Sequence, residues 1–245
     1  MGFLQLTNKQ QETLDKLCRF LSSIRGTDKV LMLYAYLSKV LIIKLQERDK
    51  NSVLAQRLKN LAVPVGDTRV LLRYYGLIPL FQWIIFSERN PPSTPFLRLI
   101  YRLQNLANLG YYPLEHIYYL ASHKVIHLTE ETKNRVGIWS CRFWAAYVTL
   151  YFLQLHQEHR LLENRQLQLT QRQRSNAEPK EVLRAEQKSI SNEYQSLIVN
   201  TIINTAYFPL TLHWSVEKSW FPELGVGLCG SVAAIAQIYS AWKNA

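Results

Sequence analysis

Glycine and proline are scarce in this chain, nine of each in 245 residues. Strand-like alternation of apolar and polar residues is almost absent as well, so the reading is all helical. Charged residues make up 19%, below the roughly one quarter of ordinary soluble domains. The three cysteines, Cys18, Cys141 and Cys229, lie far apart and form no motif. No Asn-x-Ser/Thr sequon occurs, and the opening Met1 to Lys9 is short and polar rather than a secretory signal. The thiols are therefore expected to be reduced and the polar parts cytosolic. There is no glycine-rich phosphate loop, Walker lysine motif, dinucleotide fingerprint or Gly-x-Ser-x-Gly elbow. Carboxylates are few and none pair on an apolar background, which leaves general acid–base chemistry without a site. His123 with His127, and His156 with His159, have helical spacing, but no Cys or carboxylate cluster completes a zinc site. No catalytic residue, cofactor or metal ligand is expected, and the chain is read as not an enzyme.

What the chain does have is apolar and basic. Hydrophobic residues reach 48% and aromatics 12%, with six Trp and fourteen Tyr. Net charge is +11, the isoelectric point about 9.6 and the mean hydropathy -0.12. A basic excess suits an anionic partner, either nucleic acid or anionic lipid. Interleaved aromatics serve base stacking or a membrane interface. No RNA- or DNA-binding signature is present, and the basic residues lie on amphipathic helices beside long apolar stretches. Anionic membrane lipids are the expected partner, and nucleic acid is not.

Asn8 to Arg25 reads as an amphipathic helix with Leu14, Leu17, Leu21 and Ile24 on one face, ended by Gly26. Thr27 or Asp28 would cap a second helix through about Arg48. After Pro64 and Gly66 a third is expected to start at Asp67 and run to about Phe86, with a kink at Pro79. Arg69 and Arg73 project together on it, and Val70, Leu77, Phe81 and Ile84 fill another face. Phe96 to Leu109 is again amphipathic, Gly110 reads as its C-cap, and Pro113 fits the first turn of a further helix over 114–122. Val136 to Leu155 approaches bilayer length but contains Arg142. His156 to Gln195 is charged, a solvated helical hairpin or partly disordered insert. Leu224 to Trp242 is uncharged and anchored by Tyr239, Trp242 and Lys243, which makes it the best candidate span. Within it Gly227, Gly230, Ser231 and Ala234 would let helices approach closely, either in lipid or against a neighbouring helix of the same chain. No internal repeat of fixed period stands out.

The expected fold is all-α, amphipathic helices plus one to three membrane-embedded hydrophobic helices. Four regions follow: an N-terminal amphipathic region 1–126, a hydrophobic helix 127–155, a charged helical insert or loop 156–195, and a membrane-associated region 196–245 with the candidate transmembrane helix 224–242.

Several motifs in fixed order resemble one family. Thr27-Asp28-Lys29-Val30-Leu31 is similar to the opening motif of peroxin eleven proteins, and Gly66-Asp67-Thr68-Arg69 through Leu72-Arg73-Tyr74 to their short Arg-containing stretch. Leu103-Gln104-Asn105-Leu106, Gly110 to His116, and Trp139-Ser140-Cys141-Arg142-Phe143-Trp144 resemble central signatures. Tyr207 to Ser215, followed by the Gly-rich Leu224–Trp242 segment, resembles the C-terminal pattern. The resemblance implies a peroxisomal membrane protein that promotes membrane elongation, proliferation and division. An amphipathic helix over Asp67–Phe86 would insert, with Arg69 and Arg73 toward lipid phosphates and Val70, Leu77, Phe81 and Ile84 toward acyl chains. It further implies self-association into a homo-oligomer, a dynamin-like fission partner and an import receptor for peroxisomal membrane proteins. The end, Lys243-Asn244-Ala245, is unlike the Ser-Lys-Leu matrix address. A pore or transporter for small metabolites, or a scaffold recruiting fission and contact-site proteins through 156–195, are the alternative readings.

Overall fold

Few glycines and prolines leave few places where a helix must stop. The computed structural model describes residues 7–175 and 179–243, and among these it shows eight helices and no strand. The described residues divide into two compact units, one up to Arg73 together with those from Glu223 onward, the other Tyr74–Pro222.

The first unit opens with α1 (Asn8–Ser22). Thr7 and Gln10 close a capping box: the Thr7 hydroxyl accepts from the Gln10 amide, and the Gln10 side chain accepts from the Thr7 amide at 2.9 Å. The helix ends at Ser23, whose extended backbone also starts α2 (Ile24–Arg48), with Ser23 Oγ accepting from the Gly26 amide at 2.9 Å. This corrects the expected break at Gly26. The glycine lies in the first turn of α2, and an added Cβ would stand 2.1 Å from the Phe20 carbonyl oxygen. Its role is to let the last turn of α1 fold over the first turn of α2.

A second correction concerns α3 (Val53–Tyr74), which passes through Pro64 rather than starting at Asp67. Pro64 removes one amide donor, but the preceding Leu54 to Ala62 segment is rich in strong helix formers and keeps the helix running. The unit closes with α8 (Glu223–Lys243), which packs against α2.

The first helix lying wholly in the second unit is α4 (Leu77–Arg89), separated from α3 by a break at Tyr75–Gly76. The continuous helix expected over Asp67–Phe86 is thus two helices. Pro79 has no amide to bond the Tyr75 carbonyl and its ring crowds that carbonyl, so the helix parts just there. Next comes α5 (Pro95–Ser122), capped by Thr94 Oγ1 accepting from the Leu97 amide at 3.2 Å. It is one helix where two were expected. Gly110 does not cap it; an added Cβ there would sit 2.7 Å from the Phe143 ring, so the glycine admits a close neighbour. Pro113 lies inside the helix.

The neighbour is α6 (Glu130–Ser175), 46 residues long and followed by α7 (Lys180–Trp214). These two pair antiparallel, with Arg165 on Glu193 (2.7 Å), Arg172 on Glu186, and Asn204 Nδ2 donating to the Val148 carbonyl (3.0 Å). On α6 the buried residues Val148, Leu155, Leu162 and Leu169 are seven apart; on α7 Leu183, Ile190, Asn204 and Thr211 keep the same register, with half-buried Leu197 at the position between Ile190 and Asn204. That is the seam of a two-helix coiled coil. Of the segment 156–195, residues 176–178 lie outside the described residues; the rest includes the distal half of α6 and the proximal half of α7, packed around Leu162, Leu169, Leu183 and Ile190.

Candidate membrane-facing site

Three of the residues expected to bind lipid lie on α3 in the first unit. Arg69 Nε donates to Asp28 Oδ1 on α2 at 3.1 Å, both side chains are 14% exposed, and the guanidinium lies over the Tyr36 ring at 5.8 Å. Val70 and Arg73 are half-buried. Lys29 also reaches Asp28, at 2.8 Å. Asp28 is therefore the anion that ties α3 to α2, and Arg69 is engaged within the chain.

The other three lie on α4. Leu77 and Ile84 are half-buried, whereas Phe81 is exposed. Leu80 and Ser87 point inward: Leu80 is buried, and Ser87 Oγ accepts from Asn105 Nδ2 on α5 at 3.2 Å. Glu88 takes a bidentate pair of hydrogen bonds from Arg102, at 2.8 and 2.6 Å. The Arg102 hydrogen bond and charge hold the Glu88 carboxyl below its usual range. Pinned along that line, α4 turns Ile78, Phe81, Trp83, Ile85 and Phe86 outward, each at least 50% exposed. Of these, only Phe81 is among the residues expected from the sequence. In a run that is apolar nearly all round, spacing cannot say which face is outward; the polar pins Ser87 and Glu88 were the available signal.

The small residues of α8 are brought together on one face. Gly227, Gly230, Ser231 and Ala234 are all buried. A Cβ on Gly227 would meet Val40 at 2.7 Å, and one on Gly230 the Tyr36 ring at 2.2 Å. Their partner is α2 of the same chain. Opposite them Leu228, Val232, Ile235 and Tyr239 are exposed. Only Glu223 and Lys243 are charged in α8, one at each end, and its 21 residues make it the one helix, among the described residues, long and apolar enough to cross a membrane on its own. At about 1.5 Å per residue it spans roughly 30 Å, the thickness of a hydrocarbon core. Trp242 at its end receives Lys16 over its ring (5.1 Å) and the edge of Phe20 (5.9 Å).

Arg142, the charge inside an apolar stretch, has a local explanation. Its Nε donates to the Ser215 carbonyl at the end of α7, at 3.2 Å, and its guanidinium covers Trp139 at 4.9 Å. Between α5 and α6, Gln154 links Gln104 (2.8 Å) to Glu158 (2.8 Å), and Tyr101 donates to the same carboxylate at 3.2 Å. Burial and the Glu158 charge push the Tyr101 hydroxyl up to about 12. Among the described residues no group of three or more His, Cys, Asp or Glu is placed to hold a metal ion.

The family model described as Peroxisomal biogenesis factor 11 (PEX11) matches residues 14–242. The human protein named Peroxisomal membrane protein 11C is 25% identical, over 94% of this chain and 94% of its own. The Arabidopsis thaliana Peroxisomal membrane protein 11B is 23% identical, over 95% of this chain and 99% of its own. No solved structure matches. A match running from α1 to the end of α8, with an apolar helix of bilayer length at its close, places the chain: it belongs to the PEX11 family and is a membrane protein of peroxisomes.

Proposed function

We propose that this protein elongates and curves the peroxisomal membrane and so promotes proliferation and division. The observation that carries the reading is the outward apolar face of α4, Ile78, Phe81, Trp83, Ile85 and Phe86, on a helix held in place by Leu80, Ser87 and Glu88. A helix so displayed enters one leaflet, spreads its headgroups and favours curvature. Burying the exposed half of five large side chains contributes on the order of 5 kcal/mol, sufficient for stable interfacial binding of a chain already anchored elsewhere. Self-association would concentrate such wedges, and a dynamin-like partner would complete scission.

In cells lacking their own family members, the wild-type chain is expected to restore elongated peroxisomes. The Phe81→Asp/Ile85→Asp double variant should still reach peroxisomes yet leave them round. Elongation by that variant equal to wild type would overturn the role of α4.

A further inference from the structure

We infer that α2 enters the membrane with α8 as an antiparallel pair, and that Val30, Leu37 and Leu41 face lipid acyl chains. The inference rests on α8 being the membrane-spanning helix.

The register runs the full length of α8. At its start, Glu223 is paired with Lys39. Gly227 and Gly230 then lie against Val40 and Tyr36. Gln237 Nε2 comes 3.8 Å from the Met32 sulfur, and Trp242 packs on Phe20 just before α2 begins. Val226, Ala233 and Ala234 are wholly buried in this seam, and Met32 is 1% exposed. Separating the helices would uncover two glycine hollows shaped by Tyr36 and Val40 and leave apolar surface on both sides unpacked. If α8 occupies the bilayer, α2 cannot remain in water beside it.

The charges of α2 fit such a position. Between Lys29 and Lys44 its only ionisable cation is Lys39, and that side chain extends to Glu223 at the end of the spanning helix. Asp28 and Lys29 lie about a turn beyond Met32, toward the Trp242 end, where Asp28 is paired with both Lys29 and Arg69 of α3. What remains exposed on the intervening turns is apolar: Val30 41%, Leu37 44% and Leu41 46%, at the spacing of one helix face. On α8 the exposed residues Leu228, Val232, Ile235 and Tyr239 form the companion stripe. Two uncharged stripes flanking one seam, ended by Trp242 and Lys243, form a continuous surface matched to lipid.

Composition alone hides this. α2 carries too many charges in any long window to pass as a span, and it is their pairing in three dimensions that removes the objection.

The test uses the full chain with its cysteines replaced (Cys18→Ser, Cys141→Ser, Cys229→Ala), reconstituted in vesicles of phosphatidylcholine and phosphatidylserine. Single cysteines at Leu37, Leu41, Ile235 and Lys50 carry an environment-sensitive fluorophore, and circular dichroism confirms the helix content of each. Reporters at Leu37 and Leu41 are expected to match Ile235, quenched by acyl-chain nitroxides and not by aqueous iodide, while Lys50 is quenched by iodide. Iodide quenching at Leu37 and Leu41 with Ile235 protected would overturn the inference and leave α8 as the span. Iodide quenching at Ile235 as well would overturn the spanning helix itself.

Discussion

At the scale of single residues, charge and bulk are placed by particular contacts. Arg142 is the instructive case: in the sequence it is a cation spoiling an apolar run, and in the fold it donates to the last carbonyl region of α7 at Ser215. Arg69 is similar, since it faces Asp28 across the α2–α3 contact. Nothing in linear spacing reveals either partner, because the pairs are 73 and 41 residues apart. Gly230 can be tested directly. Valine there would push against the Tyr36 ring, and a loss of about 1–3 kcal/mol in stability is expected from overpacking. Thermal unfolding in detergent reads this, and Tyr36→Ala in the same chain should recover part of it. Glu88 gives a pH dependence. Its carboxyl is lowered first by the Arg102 hydrogen bond and then by the Arg102 and Arg98 charges, so its stabilising contact is present above the ordinary carboxylate value of 4.5 and is lost as pH falls through the lower folded value. Amide-exchange protection of α4, corrected for intrinsic rates, should therefore drop in that acid range. Glu88→Gln should show the low protection already at neutral pH, with little further change on acidification.

At the scale of elements, much of the helix content was legible because helices leave a periodic trace and few residues here oppose them. The start of α1 at its capping box and the extent of α8 follow from local chemistry. The joins did not. Pro64 and Pro113 lie inside helices, and Gly26 and Gly110 serve close packing rather than termination. Each reads as a boundary in the sequence; at Gly26 and Gly110 a close neighbour decides otherwise, and at Pro64 the strong helix formers before it carry the helix through. The α6–α7 pairing was legible in principle. A seven-residue spacing runs through both helices, but on α7 Leu197 is only half-buried and the polar Asn204 and Thr211 interrupt the apolar pattern. Ile190, fully buried at the distal end of this pair, is the position to probe. Ile190→Ala is expected to cost about 2–5 kcal/mol. The loss should appear as faster amide exchange confined to the distal parts of α6 and α7, with α5 unaffected.

At the scale of the whole molecule, the proposed function needs an anchor and a wedge. The proposed anchor is α8, uncharged between its ends and packed along one side on α2, and the proposed wedge is α4, whose contacts to α5 leave Ile78, Phe81, Trp83, Ile85 and Phe86 exposed. The all-α expectation holds, with one helix among the described residues long and apolar enough to span a membrane, and the single helix expected over Asp67–Phe86 is divided between α3 and α4. Electron microscopy of vesicles containing anionic lipid, reconstituted with the full chain, tests this most directly. Wild type should draw the vesicles into tubules, and Phe81→Asp/Ile85→Asp should remain in the vesicle fraction on flotation yet leave the vesicles round. Tubules of equal number and length from the double variant would contradict the assignment of shaping activity to α4.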